Sequence, residues 1–486
     1  MKKDLSEKMK EKYDVIIVGA GVIGATIARN LARYNVNTLV LEKNNDVGDE
    51  TSCANSAIVH SGYDPHPGTL KAELNVKGCE MFTKVCDELD VELKRIGSLT
   101  VATNAEEEET LEKLLVNGKE NGANVRIVLQ DELREMEPFI TKKATKALYA
   151  VDAGIINPFE LVVALMENAI DNGVKLHLNE EVIDIKKDND LYLVKTNKDE
   201  YVAKVVVNAA GVNSDIINNY VSDKKEKIMP RKGEYYVLDH FNEPYVSHTL
   251  FSVPSSKGKG VLVSPTTHGN FLIGPSSEFV GDRSDKGTDS LTLKEVLNQA
   301  YRLVDEIPMQ HLIREFGGLR SYHESNDFVI NSPSKGFINM LGIQSPGLAS
   351  SPAIGEKAIE MIKECIDLVE KKDFNPRRRP LYRINNLSLE ERNELIKKDP
   401  RFGQMVCRCE QVSMGEVIDS IHRSCGATTI KGVKKRVRPG FGKCQGGFCE
   451  PLIMKILCDE LGKNPLDIKY SSNGSYILLE KTKGEK

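Results

Sequence analysis

No stretch of the 486-residue chain approaches the roughly 18–20 uncharged apolar residues that a bilayer crossing needs. The opening residues, MKKDLSEKMKEKYD, carry charge but no apolar core of the secretory kind, so a cytoplasmic location is expected. Repeats of fixed period and low-complexity tracts are also missing. With 40% hydrophobic and 28% charged residues, the chain is neither disordered nor collagen-like. Aromatic residues make up only 6%, with no tryptophan, and none is interleaved with the two basic runs. Those runs are Pro376-Arg377-Arg378-Arg379-Pro380 and Lys434-Lys435-Arg436-Val437-Arg438. Stacking-based nucleic-acid binding is therefore not expected of this net acidic chain. The runs read as solvated surface, with a partner-docking face as the second reading.

What is present divides unevenly. The length fits two to four domains. From Lys371 onward the chain carries a net +10, whereas the first 370 residues carry −15. That split predicts two units in different surroundings. Five of the ten cysteines are scattered, and the other five are Cys407, Cys409, Cys425, Cys444 and Cys449. In a reducing compartment, clustered cysteines bind metal more often than they form disulfides.

Residues 14–18, DVIIV, form an apolar β-branched run that leads into Gly19-Ala20-Gly21-Val22-Ile23-Gly24 and an amphipathic helix. A second strand ends at Glu42, 18 residues after Gly24. Gly19 permits the tight turn, Gly21 lets backbone amides approach a pyrophosphate, and Gly24 permits close helix–strand packing. The helix start presents its positive end to the phosphates, and Glu42 is placed for ribose hydroxyls. FAD and NAD share this fingerprint. Val205-Val206-Val207-Asn208-Ala209-Ala210-Gly211 is a further strand ending in small residues, which let the chain pass close to a cofactor.

Together with Leu341-Gly342-Ile343-Gln344-Ser345-Pro346-Gly347-Leu348, these segments resemble the FAD-dependent oxidoreductases of the D-amino-acid oxidase superfamily, over about residues 13–365. The stretch from Asn55 through His60 to Tyr63, continuing to Pro67-Gly68-Thr69-Leu70-Lys71, is similar to two branches. These are L-2-hydroxyglutarate oxidase and the anaerobic glycerol-3-phosphate dehydrogenase large subunit. The resemblance implies that Gly19, Gly21, Gly24 and Glu42 hold the ADP half. It places Ser52, Ser56 and Ala57 near the pyrophosphate or flavin, Ala210 and Gly211 beside the cofactor, Val182 toward the adenine, and Gly342, Gly347 and Leu348 along the flavin. The implied fold is α/β: a Rossmann-like FAD-binding domain interleaved with an antiparallel-sheet substrate domain. FAD-binding segments are expected at about 13–90, 150–225 and 330–370, and substrate-domain segments at about 91–149 and 226–329.

Two residues are candidates for the chemistry. Alcohol oxidation removes the hydroxyl proton as hydride leaves carbon, a task that suits a neutral imidazole; the resemblance assigns it to His60, which the sequence by itself reads as a polar loop histidine. An anionic substrate calls for a planar bidentate donor, and the resemblance places Arg320 of Gly317-Gly318-Leu319-Arg320 there, where the sequence by itself reads a surface ion pair. Arg231 and Lys232 are weaker anion-binding candidates.

After a charged linker at 371–401, a small helical domain is expected at 402–465, followed by a tail at 466–486. Cys407, Cys409, Cys444 and Cys449 give C-x-C…C-x4-C, a complete thiolate set for zinc or for a [2Fe–2S] cluster. The pattern resembles the bacterioferritin-associated-ferredoxin type of [2Fe–2S] domain, and Cys425 falls outside it. The combined expectation is a dehydrogenase that oxidises sn-glycerol 3-phosphate to dihydroxyacetone phosphate and passes electrons to a partner subunit or quinone. Such a chain has no membrane span of its own and reaches a membrane only through a partner. The alternatives are an L-2-hydroxyglutarate or related 2-hydroxy-acid enzyme and an amino- or imino-acid dehydrogenase subunit.

Overall fold

The computed structural model describes residues 11–241, 245–254 and 260–483. Its first sheet has eight strands. Five run parallel, in the order Lys175–His177, Thr38–Leu41, Glu11–Val18, Glu200–Asn208 and Phe337–Leu341. Val15, Ile16, Ile17 and Val18 are all buried, because helices or further chain cover both faces of a parallel sheet. The helix Val22–Leu31 is buried on every side, between the helices Pro158–Asp171 and Gly347–Lys363. The long helix Leu70–Leu89 also lies on Gly347–Lys363, so closely that a Cβ on Gly78 would meet the Ala349 carbonyl oxygen at 2.2 Å. This last helix begins at Gly347. Pro352 sits inside it, in the second turn, and the Leu348 carbonyl that its missing N–H would have served accepts from Ser351 Oγ at 2.8 Å.

The second sheet has nine strands and is antiparallel apart from the pairing of Thr249–Ser252 with Ser98–Ala102. Its longest pair is Ile228–Leu238 against Leu312–His323. It has its own core, which includes Leu99, Val101, Leu250, Val263 and Phe271.

The C-terminal unit is a two-stranded ribbon, Met405–Cys407 with Val412–Ser413, followed by helices Met414–His422, Ile430–Val437 and Glu450–Leu461. Val417, Val433, Ile453 and Leu457 fill its core. The basic runs are only in part solvated surface: Arg377 and Arg379 are exposed, but the other cations of the runs are mostly covered. Lys434, Lys435 and Arg436 are buried, as is Arg378. The Arg436 guanidinium donates to both oxygens of Asp46 at 2.9 Å, and Lys435 pairs with Asp46 and Asp49. Arg378 and Arg423 share Glu167, and Arg383 donates to Asp90 and Glu160. The runs mislead in the sequence because their acids lie hundreds of residues away, on the body of opposite charge. Residues 371–383 likewise run along the body, with Lys371 donating to the Asn172 carbonyl and Leu381 to Asp90.

Candidate active site and cluster site

A deep cleft of about 1570 Å³, its mouth included, runs from the end of the parallel sheet to the second sheet. Gly19, Gly21, Glu42, Ser52, Ser56, Ala57, His60, Val182, Ala210, Gly211, Arg320, Gly347 and Leu348 all line it. Gly24 and Gly342 do not. Gly24 lies behind the wall, where a Cβ would come within 1.9 Å of the Gly19 carbonyl oxygen, so it lets the helix approach the strand. Gly342 packs against His323 and the Asp327 carbonyl at a φ of +67°, so it shapes the turn before the wall and not the wall itself.

The residues present fit an FAD. At the nucleotide end, Gly21 caps the helix with no side chain of its own, and the helix start opens into the cleft. A Cβ on Gly19 would strike the Ala209 carbonyl at 2.6 Å, so the two turns that line the cleft need glycine there to approach. Glu42 accepts from the Ala20 amide at 2.8 Å and the Asn44 amide at 2.9 Å. Burial pushes its carboxyl up in pKa, and those two amides oppose the push. Ser52 accepts from the Val22 amide at 2.9 Å, which ties the loop to the helix start.

The loop is knotted by Asn55, a residue whose role its local sequence does not reveal. Its amide donates to the Thr51 and Ser52 carbonyls, and its oxygen accepts from the Ala57 amide. These bonds hold Ala57 at a φ of +60°, a conformation that costs about 1–3 kcal/mol for a residue with a Cβ. The chain then turns into the short strand Ile58–Val59, and His60 follows, with its carbonyl accepting from Asn75 at 2.6 Å. The imidazole lies 5.8 Å from the Phe251 ring, centroid to centroid.

Arg320 comes from the opposite side. Its strand is stitched to the loop by Thr51, which donates to the Leu319 carbonyl at 2.7 Å. A Cβ on Gly318 would meet the Ala54 carbonyl at 2.2 Å, so this contact requires glycine. Arg320 donates to the Ser276 carbonyl at 3.0 Å and stands directly across the strand pair from Arg231. Burial lowers the Arg231 pKa, and the Arg320 charge adds to that effect. Like charges set opposite each other are destabilising, and an anion in the cleft offsets that cost. Arg231 itself lies over the rings of Phe279 and Tyr322 and does not reach the wall. Lys232 is already committed to Glu234 and Asp285.

Tyr235 is a cleft residue that the sequence did not single out. Its hydroxyl is 3.0 Å from Ser56 Oγ, and its ring stacks on Phe316 at 4.6 Å. The alternation of the strand Ile228–Leu238 shows which residues share a face, but not that the face meets a cofactor loop.

The four motif cysteines gather at the tip of the C-terminal unit as two pairs. Cys409 and Cys444 have their sulfurs 4.0 Å apart, and the Cys449 thiol hydrogen-bonds Cys407 and pulls it down to about pKa 6. Two thiol pairs suit a binuclear cluster, in which each iron takes two protein sulfurs. Cys425 is buried elsewhere, 3.7 Å from an Arg436 nitrogen. Iron analysis should give two irons per chain and no stoichiometric zinc. Reductive chelation should remove the visible absorption that exceeds that of flavin.

Fold, cleft and thiol pairs together define a flavin- and iron–sulfur-dependent oxidoreductase. The chain belongs to the FAD dependent oxidoreductase family, which it matches over residues 14–361, and it carries a BFD-like [2Fe-2S] binding domain at residues 405–459. Its cofactors are accordingly FAD and a [2Fe–2S] cluster. It is 48% identical over 477 residues to a glycerol 3-phosphate dehydrogenase of Caloramator mitchellensis, covering 97% of this chain and 99% of that one. The dithionite-reduced, FAD-bound L-α-glycerophosphate oxidase of Mycoplasma pneumoniae superposes with a TM-score of 0.73 at 29% identity, over 77% of this chain and all of that one. The mitochondrial L-2-hydroxyglutarate dehydrogenase of Arabidopsis thaliana is 27% identical over 403 residues, covering 71% of this chain and 83% of that one.

Proposed function

We propose that this protein oxidises sn-glycerol 3-phosphate to dihydroxyacetone phosphate and delivers the electrons to an external acceptor, a partner subunit or quinone. The observation that carries the reading is the convergence of His60, Tyr235 and Arg320 on one cleft, in a chain nearly half identical end to end to a dehydrogenase of that substrate. When bound, FAD takes two electrons from the substrate carbon and the [2Fe–2S] cluster conducts electrons singly. His60 removes the proton from the hydroxyl being oxidised. Arg320 grips the phosphate through two parallel N–H bonds, with the Arg231 charge adding to the field behind it. Tyr235, held by Ser56 and stacked on Phe316, closes the substrate space.

The Pro67-Gly68-Thr69-Leu70-Lys71 run, part of the stretch similar to both branches, serves a local purpose here. Thr69 caps the helix Leu70–Leu89, and the Leu70 and Lys71 amides donate to the Asp327 carboxylate. With that role filled, the run does not favour a carboxylate substrate. No described helix is long and apolar enough to cross a membrane, and all ten cysteines are free, which suits a reducing cytoplasm.

Anaerobic addition of glycerol 3-phosphate should bleach the flavin, whereas L-2-hydroxyglutarate and proline should not. Bleaching by L-2-hydroxyglutarate alone would overturn the substrate assignment. Arg320→Lys keeps the charge but loses the fork, so KM for the phosphorylated substrate should rise about tenfold to a hundredfold, the worth of a charged hydrogen bond. An unaltered KM would place the phosphate elsewhere.

A further inference from the structure

Several cations of the C-terminal unit are spent on the body of the protein. Lys435, Arg436 and Arg423 face its acids, and Arg438 reaches Glu410 and Asn270. Arg408 and Lys443 are different. Both are exposed, and neither has an ion pair among the described residues. They flank the thiol loops, Arg408 between Cys407 and Cys409 and Lys443 just before Cys444. Between Cys444 and Cys449 stands Phe448, 88% exposed, more than any other large apolar side chain among the described residues. Of the four thiols, Cys407 and Cys449 are buried and Cys409 is exposed. The cluster site is therefore open on the Cys409 edge, and the thiol loops carry one exposed aromatic ring and two positive charges with no ion pair among the described residues.

We propose that this edge is the docking surface for an acidic protein that accepts one electron at a time, brought against Cys409. The inference rests on the reading that electrons leave through the C-terminal domain. Phe448 supplies the desolvated centre of the contact, the role aromatic anchors fill in interfaces, and Arg408 and Lys443 supply the rim. Charge complementarity of this kind steers encounter without demanding a large interface, and transient redox complexes are small. One electron crosses per encounter, with no bond made or broken, so each substrate molecule reduces two acceptor molecules. A membrane surface is the less suitable occupant, because interfacial binding needs a broad apolar helix face and this edge offers one ring on a loop.

The full-length holoenzyme can be tested with acidic cytochrome b5 and basic cytochrome c as probes, alongside Phe448→Ala and the double variant Arg408→Glu/Lys443→Glu. The unaltered protein should bind immobilised cytochrome b5, and both binding and reduction should weaken steeply with added salt. The charge reversal should lower the rate with cytochrome b5 about tenfold or more at low salt and shift preference toward cytochrome c. Phe448→Ala should weaken binding at every salt concentration. Substrate-driven reduction of flavin and cluster, followed by absorption and electron paramagnetic resonance, should be unchanged in both variants. Equal binding of cytochrome b5 by all three proteins would overturn the proposal. So would Phe448-dependent sedimentation with anionic phospholipid vesicles in the absence of cytochrome binding. Failure of glycerol 3-phosphate to reduce the flavin would count against the substrate reading alone, because the binding measurement needs no turnover.

Discussion

His60→Asn should retain FAD and lose the reductive half-reaction. Asn preserves a polar side chain of similar reach but cannot take a proton, and positioned acid–base groups contribute about 10²–10⁴-fold. The backbone around His60 does not depend on its ring, because the position is set by the Asn75 bond to its carbonyl and by the strand pairing of Ile58 and Val59 with Ile155 and Gly154. The variant should therefore fold and show an unaltered flavin spectrum. Stopped-flow bleaching by glycerol 3-phosphate should slow by that factor. A variant that bleaches at the original rate would show that another group takes the proton. A variant that arrives without flavin would assign His60 to cofactor binding.

The parts of this site that were legible in the sequence are those whose logic is local. The glycine turn, the helix after it and Glu42 form one continuous βαβ unit, so spacing alone places Gly19, Gly21 and Glu42 on the cleft. The four cysteines were legible because thiols at such spacing have few other uses. Tyr235 was not, since its place on the cleft depends on a sheet whose register is set by strands as distant as Leu312–His323. Gly342 was expected on the flavin wall because it lies in the right loop, but its positive φ makes it the hinge of the turn behind that wall. The basic runs show the limit most clearly. The charge imbalance between body and C-terminal region was visible, and it predicted two units in different surroundings. It did not show that part of the positive charge of the C-terminal unit is buried against acids of the body. Composition reveals that charge must be neutralised, but not by which acid.

Asp46→Ala tests that junction and should destabilise the protein far more than any substitution at the open cleft. Asp46 and Arg436 lie 390 residues apart and are both buried, so removing the carboxylate strands a guanidinium that cannot reach water. Breaking a buried pair in this way costs about 3–5 kcal/mol. The lower end applies, because Lys435 keeps Asp49 and the Val47 carbonyl while Arg436 keeps the Cys425 and Gly432 carbonyls. The same bridge sets a pH window. Burial alone would raise the Asp46 carboxyl, but the charges of Arg436 and Lys435 more than reverse this and hold it far below its usual value. Its contribution is therefore complete above the ordinary aspartate range near pH 4 and drains away as pH falls toward the folded value. For Lys435, burial lowers the pKa but Asp46 and Asp49 raise it further, so its contribution is complete below about pH 10 and is lost as pH rises past that. Denaturant unfolding across pH should show the acid limb flattened in Asp46→Ala and the alkaline limb flattened in Lys435→Met. The effect should also reach the flavin, because Gly48, Asp49 and Glu50 continue from Asp46 onto the wall of the cleft. Asp46→Ala should therefore release FAD more readily than the unsubstituted protein while its cluster remains bound. If the C-terminal unit detached with no change in flavin affinity, the docking would be an attachment only, and the loop would hold its shape unaided.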